Sequence, residues 1–155
     1  MKSEDPTSSP ALRLHAKRLV TSYRLLTGRD LISAEPPESL PKRLFEAPFV
    51  VISHNREADP VLNYGNRAAL KLWDMTWEEF TQTPSRLTAE TPEREEREHL
   101  LALVRERGFI DDYSGVRISR TGRRFRIEKA TVWNLLDENG TPVGQAATFS
   151  RWVDL

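Results

Sequence analysis

His54 is the first residue whose type and position could do chemistry. It follows the apolar run Phe49–Ile52, and Asp59 stands five residues later across the polar turn Arg56–Pro60. An imidazole beside a carboxylate can be held in one tautomer or can move a proton. The same spacing also suits a structural role, with His54 bonded to the backbone or to Asp59. No serine-nucleophile motif accompanies the pair. Arg117, Arg126 and Glu128 form a second constellation: in a hairpin Arg117 can approach the Arg126–Glu128 region, giving either a structural ion network or an anchor for a ligand. Strict alternation puts Arg126, Glu128, Ala130, Val132, Asn134 and Leu136 on one strand face, and Phe125, Ile127, Lys129, Thr131, Trp133 and Leu135 on the other. Neither face is uniform. A sheet-lined pocket needs such a mixture, and partial exposure beside a packed helix produces it too. With Tyr64 and Trp133 as cavity-wall candidates, the ligand-binding candidates are His54, Tyr64, Arg117, Arg126, Glu128 and Trp133.

Other groups carry less. Asp111 and Asp112 are adjacent on a strand, so they alternate faces and form no carboxylate dyad. His99 stands among Glu95, Glu96, Arg97 and Glu98 and reads as solvated. There is no HExxH zinc motif and no phosphate loop. The chain has no cysteine, which excludes disulfides, thiolate metal sites and any cysteinyl adduct. No metal site is expected, and no cofactor is identified by any motif.

These residues must be positioned by a modest body of 155 residues, enough for one core. Charged residues make up 30% and the formal net charge is zero, which argues against a mainly electrostatic grip on nucleic acid or membrane. No apolar run approaches the roughly 20 residues a bilayer requires, and MKSEDPTSSP has no apolar signal region, so a cytoplasmic location is expected.

Residues 1–8 read as a disordered polar tail and 9–33 as an N-terminal helix. Ser9 and Pro10 start the helix and Gly28 ends it. Its apolar stripe is Leu12, Ala16, Leu19, Tyr23 and Leu26, which either packs on its own domain or forms a dimer contact. Pro36, Pro37 and Pro41, with Pro48 just beyond, mark 34–47 as a linker into a domain at 48–150. Two short strands follow, then a helix capped by Asn66, and a second helix with capping-box spacing at Thr76 and Glu79. A long helix runs from Thr91 to near Gly108, with Leu100, Leu101, Leu103 and Val104 as its buried stripe. Three strands complete the chain, the first two joined by the turn Arg120-Thr121-Gly122.

Several segments carry a resemblance: SYRLLTGRDL at 22–31, FVVISH at 49–54, DPVLNYGNRAALKLW at 59–73, PSRLTAE at 84–90, IDDYSGVRIS at 110–119 and RRFRIEKATVWNLLD at 123–137. Over roughly residues 12–150 the chain resembles the MEKHLA family, a PAS-like group found alone in bacteria and at the C-terminus of some plant homeodomain–leucine zipper regulators. The resemblance implies an α+β PAS-like fold: about five antiparallel strands, helices across one face, and an N-terminal helix. It implies a sensory or regulatory role and brings no catalytic residues. The plant DNA-binding and zipper regions have no counterpart here, so direct nucleic-acid binding is not expected.

Three functions are then open. The first is a stand-alone sensory domain that binds a small molecule and signals to a separate output protein. The second is a ligand-free dimerisation module, a homodimer through the N-terminal helix. The third is a small enzyme using His54 and Asp59.

Overall fold

The computed structural model describes residues 9–155; the tail at 1–8 lies outside the described residues. Its centre is a six-stranded antiparallel sheet in the order β2-β1-β5-β4-β3, with β6 also paired to β4. The strands are β1 (Val50–Asn55), β2 (Leu62–Gly65), β3 (Phe109–Ile118), β4 (Arg124–Leu136), β5 (Pro142–Phe149) and β6 (Arg151–Asp154). The helices are α1 (Pro10–Thr27), α2 (Leu40–Phe45), α3 (Arg67–Trp73), α4 (Trp77–Phe80) and α5 (Thr91–Arg107).

Helix α1 starts at Pro10, whose fixed φ and missing N–H suit the first turn. It ends where Gly28 adopts the left-handed region and donates its N–H to the Arg24 carbonyl. The expected linker is structured: a 3-10 turn at Pro37–Ser39 leads into α2. Pro37 and Pro41 lie in the first turns of these helices, where proline is tolerated, and Leu40, Leu44 and Phe45 are buried.

Asn66 does more than cap α3. Its Oδ1 accepts from the backbone N–H groups of Ala69 and Val51, and its Nδ2 donates to the carbonyls of Leu44 and Phe49. One buried amide therefore joins α2, β1 and α3. The strand β2 runs through Gly65, where any Cβ would stand 2.6 Å from the Phe80 ring. Thr76 and Glu79 form the full capping box of α4.

The sheet has helices on both faces. Against one pack Ala16, Leu19 and Tyr23 of α1 and Leu44 of α2, meeting Val51, Tyr64, Trp133 and Leu135. The opposite face carries Trp73, Phe80, Phe125 and Phe149 at one end, and Leu100, Leu101 and Val104 of α5 over Val132 at the other. The α1 stripe is thus spent on its own sheet, with Ala16, Leu19 and Tyr23 buried and Leu12 and Leu26 half-buried. Ala16, Leu19 and Tyr23 are therefore turned away from the dimer contact expected of the stripe, and only Leu12 and Leu26 keep surface for one.

Strand β4 departs from simple alternation. Lys129 has a φ of 55°, and the pairing with β3 passes from Gly115↔Ile127 to Tyr113↔Ala130, which inserts one extra residue on β4. Phe125 and Ile127 therefore share a face with Ala130, Val132 and Asn134, and the single alternating series from Phe125 to Leu136 is corrected at this bulge. A second irregularity on β3 lies at Asp112, φ 57°, and restores the register to Ile110↔Val132.

Candidate functional site

A cavity of about 60 Å³ lies between the sheet and α5. Small side chains open it: Ala130 and Ala147 stand where the neighbouring end of the same face carries phenylalanines. Its apolar wall includes Ile127, Val132 and Leu100.

Two arginines enter this hollow. Arg97 comes from the inner side of α5, three and seven residues before Leu100 and Val104, so the helix period aims it at the sheet. It is 5% exposed, and one guanidinium N–H donates to the Ser85 hydroxyl. Glu98 is the carboxylate beside it, at 3.9 Å and mostly in solvent. Burial, with the nearby charge of Arg117 adding, lowers Arg97 to about 10, so it remains a cation at neutral pH.

Arg117 comes from β3 and is 7% exposed. It donates to the Val116 carbonyl at 2.9 Å and to the Tyr113 hydroxyl at 3.1 Å. Tyr113 in turn donates to Glu96 at 2.8 Å. Gly115 makes this possible: a Cβ there would collide with the Tyr113 hydroxyl and come within 3.0 Å of Arg117 Nη1. Among the described residues no carboxylate lies within ion-pair distance of Arg117, and each guanidinium, with five N–H groups, keeps donors unused by these bonds.

His54 completes the polar end. Its Nδ1 donates to the Asn55 carbonyl at 3.0 Å, which leaves Nε2 as an acceptor. That Nε2 is buried without a full hydrogen bond, and the neighbouring Gln145 side chain interacts with the imidazole only weakly. Burial is the main reason the imidazole falls to about 4, and the charges of Arg97 and Arg105 act in the same direction. His54, Leu101 and Gln145 also line a surface groove of about 700 Å³, so they form the wall between the cavity and solvent. Gln145 and Asn134 hold that wall in place by donating to the Leu101 and Val104 carbonyls of α5.

The other sequence candidates lie elsewhere. Asp59 is exposed and paired with Arg86 at 3.1 Å, so the His54–Asp59 pair does not form. The turn carries the carboxylate outward while the β1 alternation carries the imidazole inward. Arg126 and Glu128 pair with each other at 3.5 Å on the solvent side, away from Arg117; Arg117 instead stands opposite Phe125, and ordinary alternation before the Lys129 bulge turns Arg126 and Glu128 to the other face. Tyr64 and Trp133 belong to the α1 face, where Trp133 Nε1 donates to Ser22 at 3.1 Å. His99 is exposed. Sequence reading missed Arg97, although its place in the series 97, 100, 101, 104 is a stripe position. Among the described residues no cluster of His, Asp or Glu is arranged to hold a metal ion, and no helix is long and apolar enough to cross a membrane.

The family model of the MEKHLA domain matches residues 13–154. This chain belongs to the MEKHLA family. The MEKHLA domain is 28% identical over 153 residues to the homeobox-leucine zipper protein ATHB-9 of Arabidopsis thaliana, covering 95% of this chain and 18% of that protein. It is 26% identical over 164 residues to the homeobox-leucine zipper protein HOX32 of Oryza sativa subsp. japonica, covering 98% of this chain and again 18% of the relative. The chain therefore spans under a fifth of the length of these relatives. They are plant proteins, and so lend no support to a bacterial origin for this chain. Among solved structures, a PAS domain from Colwellia psychrerythraea superposes with a TM-score of 0.61 at 14% identity, covering 74% of this chain and 92% of that one. A light-oxygen-voltage domain does so with a TM-score of 0.59 at 17% identity, over 76% and 84%. A PAS domain of a LuxR-family transcriptional regulator from Burkholderia thailandensis, in complex with ethanol, gives 0.54 at 16% identity, over 74% and 95%. These likenesses establish the PAS fold of the MEKHLA domain.

Proposed function

We propose that this MEKHLA domain is a sensory or regulatory domain whose signal is a small molecule held between the sheet and α5. One observation carries the reading: a cavity faced by two buried cationic side chains and a buried imidazole nitrogen without a full hydrogen bond, with no buried carboxylate opposite them among the described residues. A buried charge is costly unless paired, so a packing module gains nothing from this arrangement, whereas a binding site does. The ethanol complex of the Burkholderia PAS domain supports the reading at the level of size.

Occupancy has a direct route outward. Arg97 lies on α5 and Arg117 on β3, so a ligand touching both ties the helix to the sheet edge and favours one arrangement of the two. We assign output to contact with another protein segment on the outer side of α1, where Leu14 and Leu25 remain exposed. The enzyme alternative has lost its His54–Asp59 pair. Native mass spectrometry of protein purified from its own cells tests the sensory reading: a bound small mass that disappears in Arg97→Met is expected. An identical apo mass for both proteins, with no ligand-induced change in α5 hydrogen exchange, sinks it.

A further inference from the structure

The geometry points to a small hydroxycarboxylate as the ligand: its carboxylate between Arg97 and Arg117, its hydroxyl donating to His54 Nε2, and its short carbon chain against Ile127, Ala130 and Val132. This rests on the sensory reading above and names the ligand class.

Three features select that chemistry. Arg97 and Arg117 are both buried and line one cavity, each with N–H donors left over. A planar carboxylate meets guanidinium donors two at a time, and each such charge-assisted bond is stronger than a neutral one. The second feature is His54. Its Nδ1 proton is committed to Asn55, so the buried Nε2 can only accept. A second carboxylate oxygen would repel that lone pair, whereas an O–H satisfies it. Size is the third. A space of about 60 Å³ holds about four to six water-sized positions, which suits a ligand of about five to seven non-hydrogen atoms. Larger, ring-bearing ligands need roughly 300 Å³ or more.

Neighbouring polar groups are already occupied. The Ser85 hydroxyl accepts from Arg97, the Tyr113 hydroxyl joins Arg117 to Glu96, and the Gln145 amide donates to Leu101. This leaves the arginines as the cavity's free donors, and His54 Nε2, beside the Gln145 side chain, as an acceptor without a full hydrogen bond.

The test uses three probes of nearly equal size on the full chain after dialysis: 2-hydroxypropanoate, propanoate and 1,2-propanediol, with binding followed by calorimetry. The hydroxy acid is expected to bind at least about tenfold tighter than either of the others, the gain of one buried hydrogen bond to a charged or unpaired group. Arg97→Met and Arg117→Met should each weaken the hydroxy acid and propanoate by at least about tenfold and leave the diol unchanged. His54→Phe should erase the gap between hydroxy acid and propanoate. Equal binding of propanoate and hydroxy acid overturns the hydroxyl assignment. Diol binding as tight as that of the acids overturns the anion assignment while leaving a ligand cavity in place. Binding of none of the three, with xenon still entering the cavity by NMR, also overturns the hydroxycarboxylate. Exclusion of xenon as well removes the cavity and the sensory reading with it.

Discussion

The two faces of the sheet solve opposite problems with similar means. Under α1 the space is filled: Trp133 meets Tyr23 edge-on at 4.9 Å, Tyr64 meets Trp77 at 5.7 Å, and Leu19 and Leu44 close the gaps. Its polar groups are matched at His15 with Ser53, Ser53 with Asn63, and Trp133 with Ser22, while the buried Tyr64 hydroxyl is left without a partner. Under α5 the aromatic bulk is gathered around Trp73, and the remainder is roofed by a helix that brings an arginine inward. The first face has the makeup of a structural core. The second carries unspent cationic donors, which cost stability and are useful only to a partner that arrives from outside.

The comparison can be broken most decisively at Trp133. Trp133→Ala removes the largest buried side chain under α1 and is expected to lower stability by about 3–5 kcal/mol, read as a shift in denaturant midpoint. A change as small as a surface substitution would show that this face is not the structural one.

Acid sharpens the contrast next, because each face holds one histidine, His54 buried and His15 mostly so. His15 and His54 both fall to about 4 from 6.5, chiefly through burial. The unfolded chain therefore takes up protons first as pH falls. Stability contributed by the neutral imidazoles is complete above about 6.5, is lost as pH drops toward 4, and levels off below, at about 3 kcal/mol for each histidine. Denaturation across that window should show a slope that His15→Gln and His54→Gln each reduce. If His54→Gln alone leaves it untouched, His54 is not held in a dry cavity.

At the arginines the sign reverses. Arg97→Met replaces a buried cation, paired only with the solvent-side Glu98 at 3.9 Å, by an apolar side chain of similar length, and is expected to raise stability by about 1–2 kcal/mol while abolishing ligand binding. Loss of stability comparable to Trp133→Ala would make Arg97 a structural group and erase the distinction between the faces. The smallest effect belongs to Arg126→Ala. Its ion pair with Glu128 is exposed, so the midpoint should move by less than about 0.5 kcal/mol, with ligand affinity unchanged.

Much of the fold was legible before any coordinates. Local chemistry acts over a few residues, and it set the Asn66 cap, the Thr76–Glu79 box, the Gly28 terminus and the helix starting near Pro92. The candidate site was legible in part. His54 and Arg117 do line one cavity, but Tyr64 and Trp133 face the other way and Arg126 faces solvent. Alternation was applied through Lys129, whose positive φ no neighbouring residue announces. Arg97 was read through its acidic neighbours rather than through its spacing to Leu100, Leu101 and Val104.

By itself, then, the sequence determined the order of the elements, their termini and the family to which they belong, because caps, periods and motif segments are short-range properties of the chain. Tertiary structure decided which face each residue serves. The bulge at Lys129, the seating of α1 on Trp133 and the meeting of Arg97 with Arg117 join residues from separate elements. Their consequence, two cations beside an imidazole nitrogen without a full hydrogen bond in one hollow, exists only where α5 closes over the sheet.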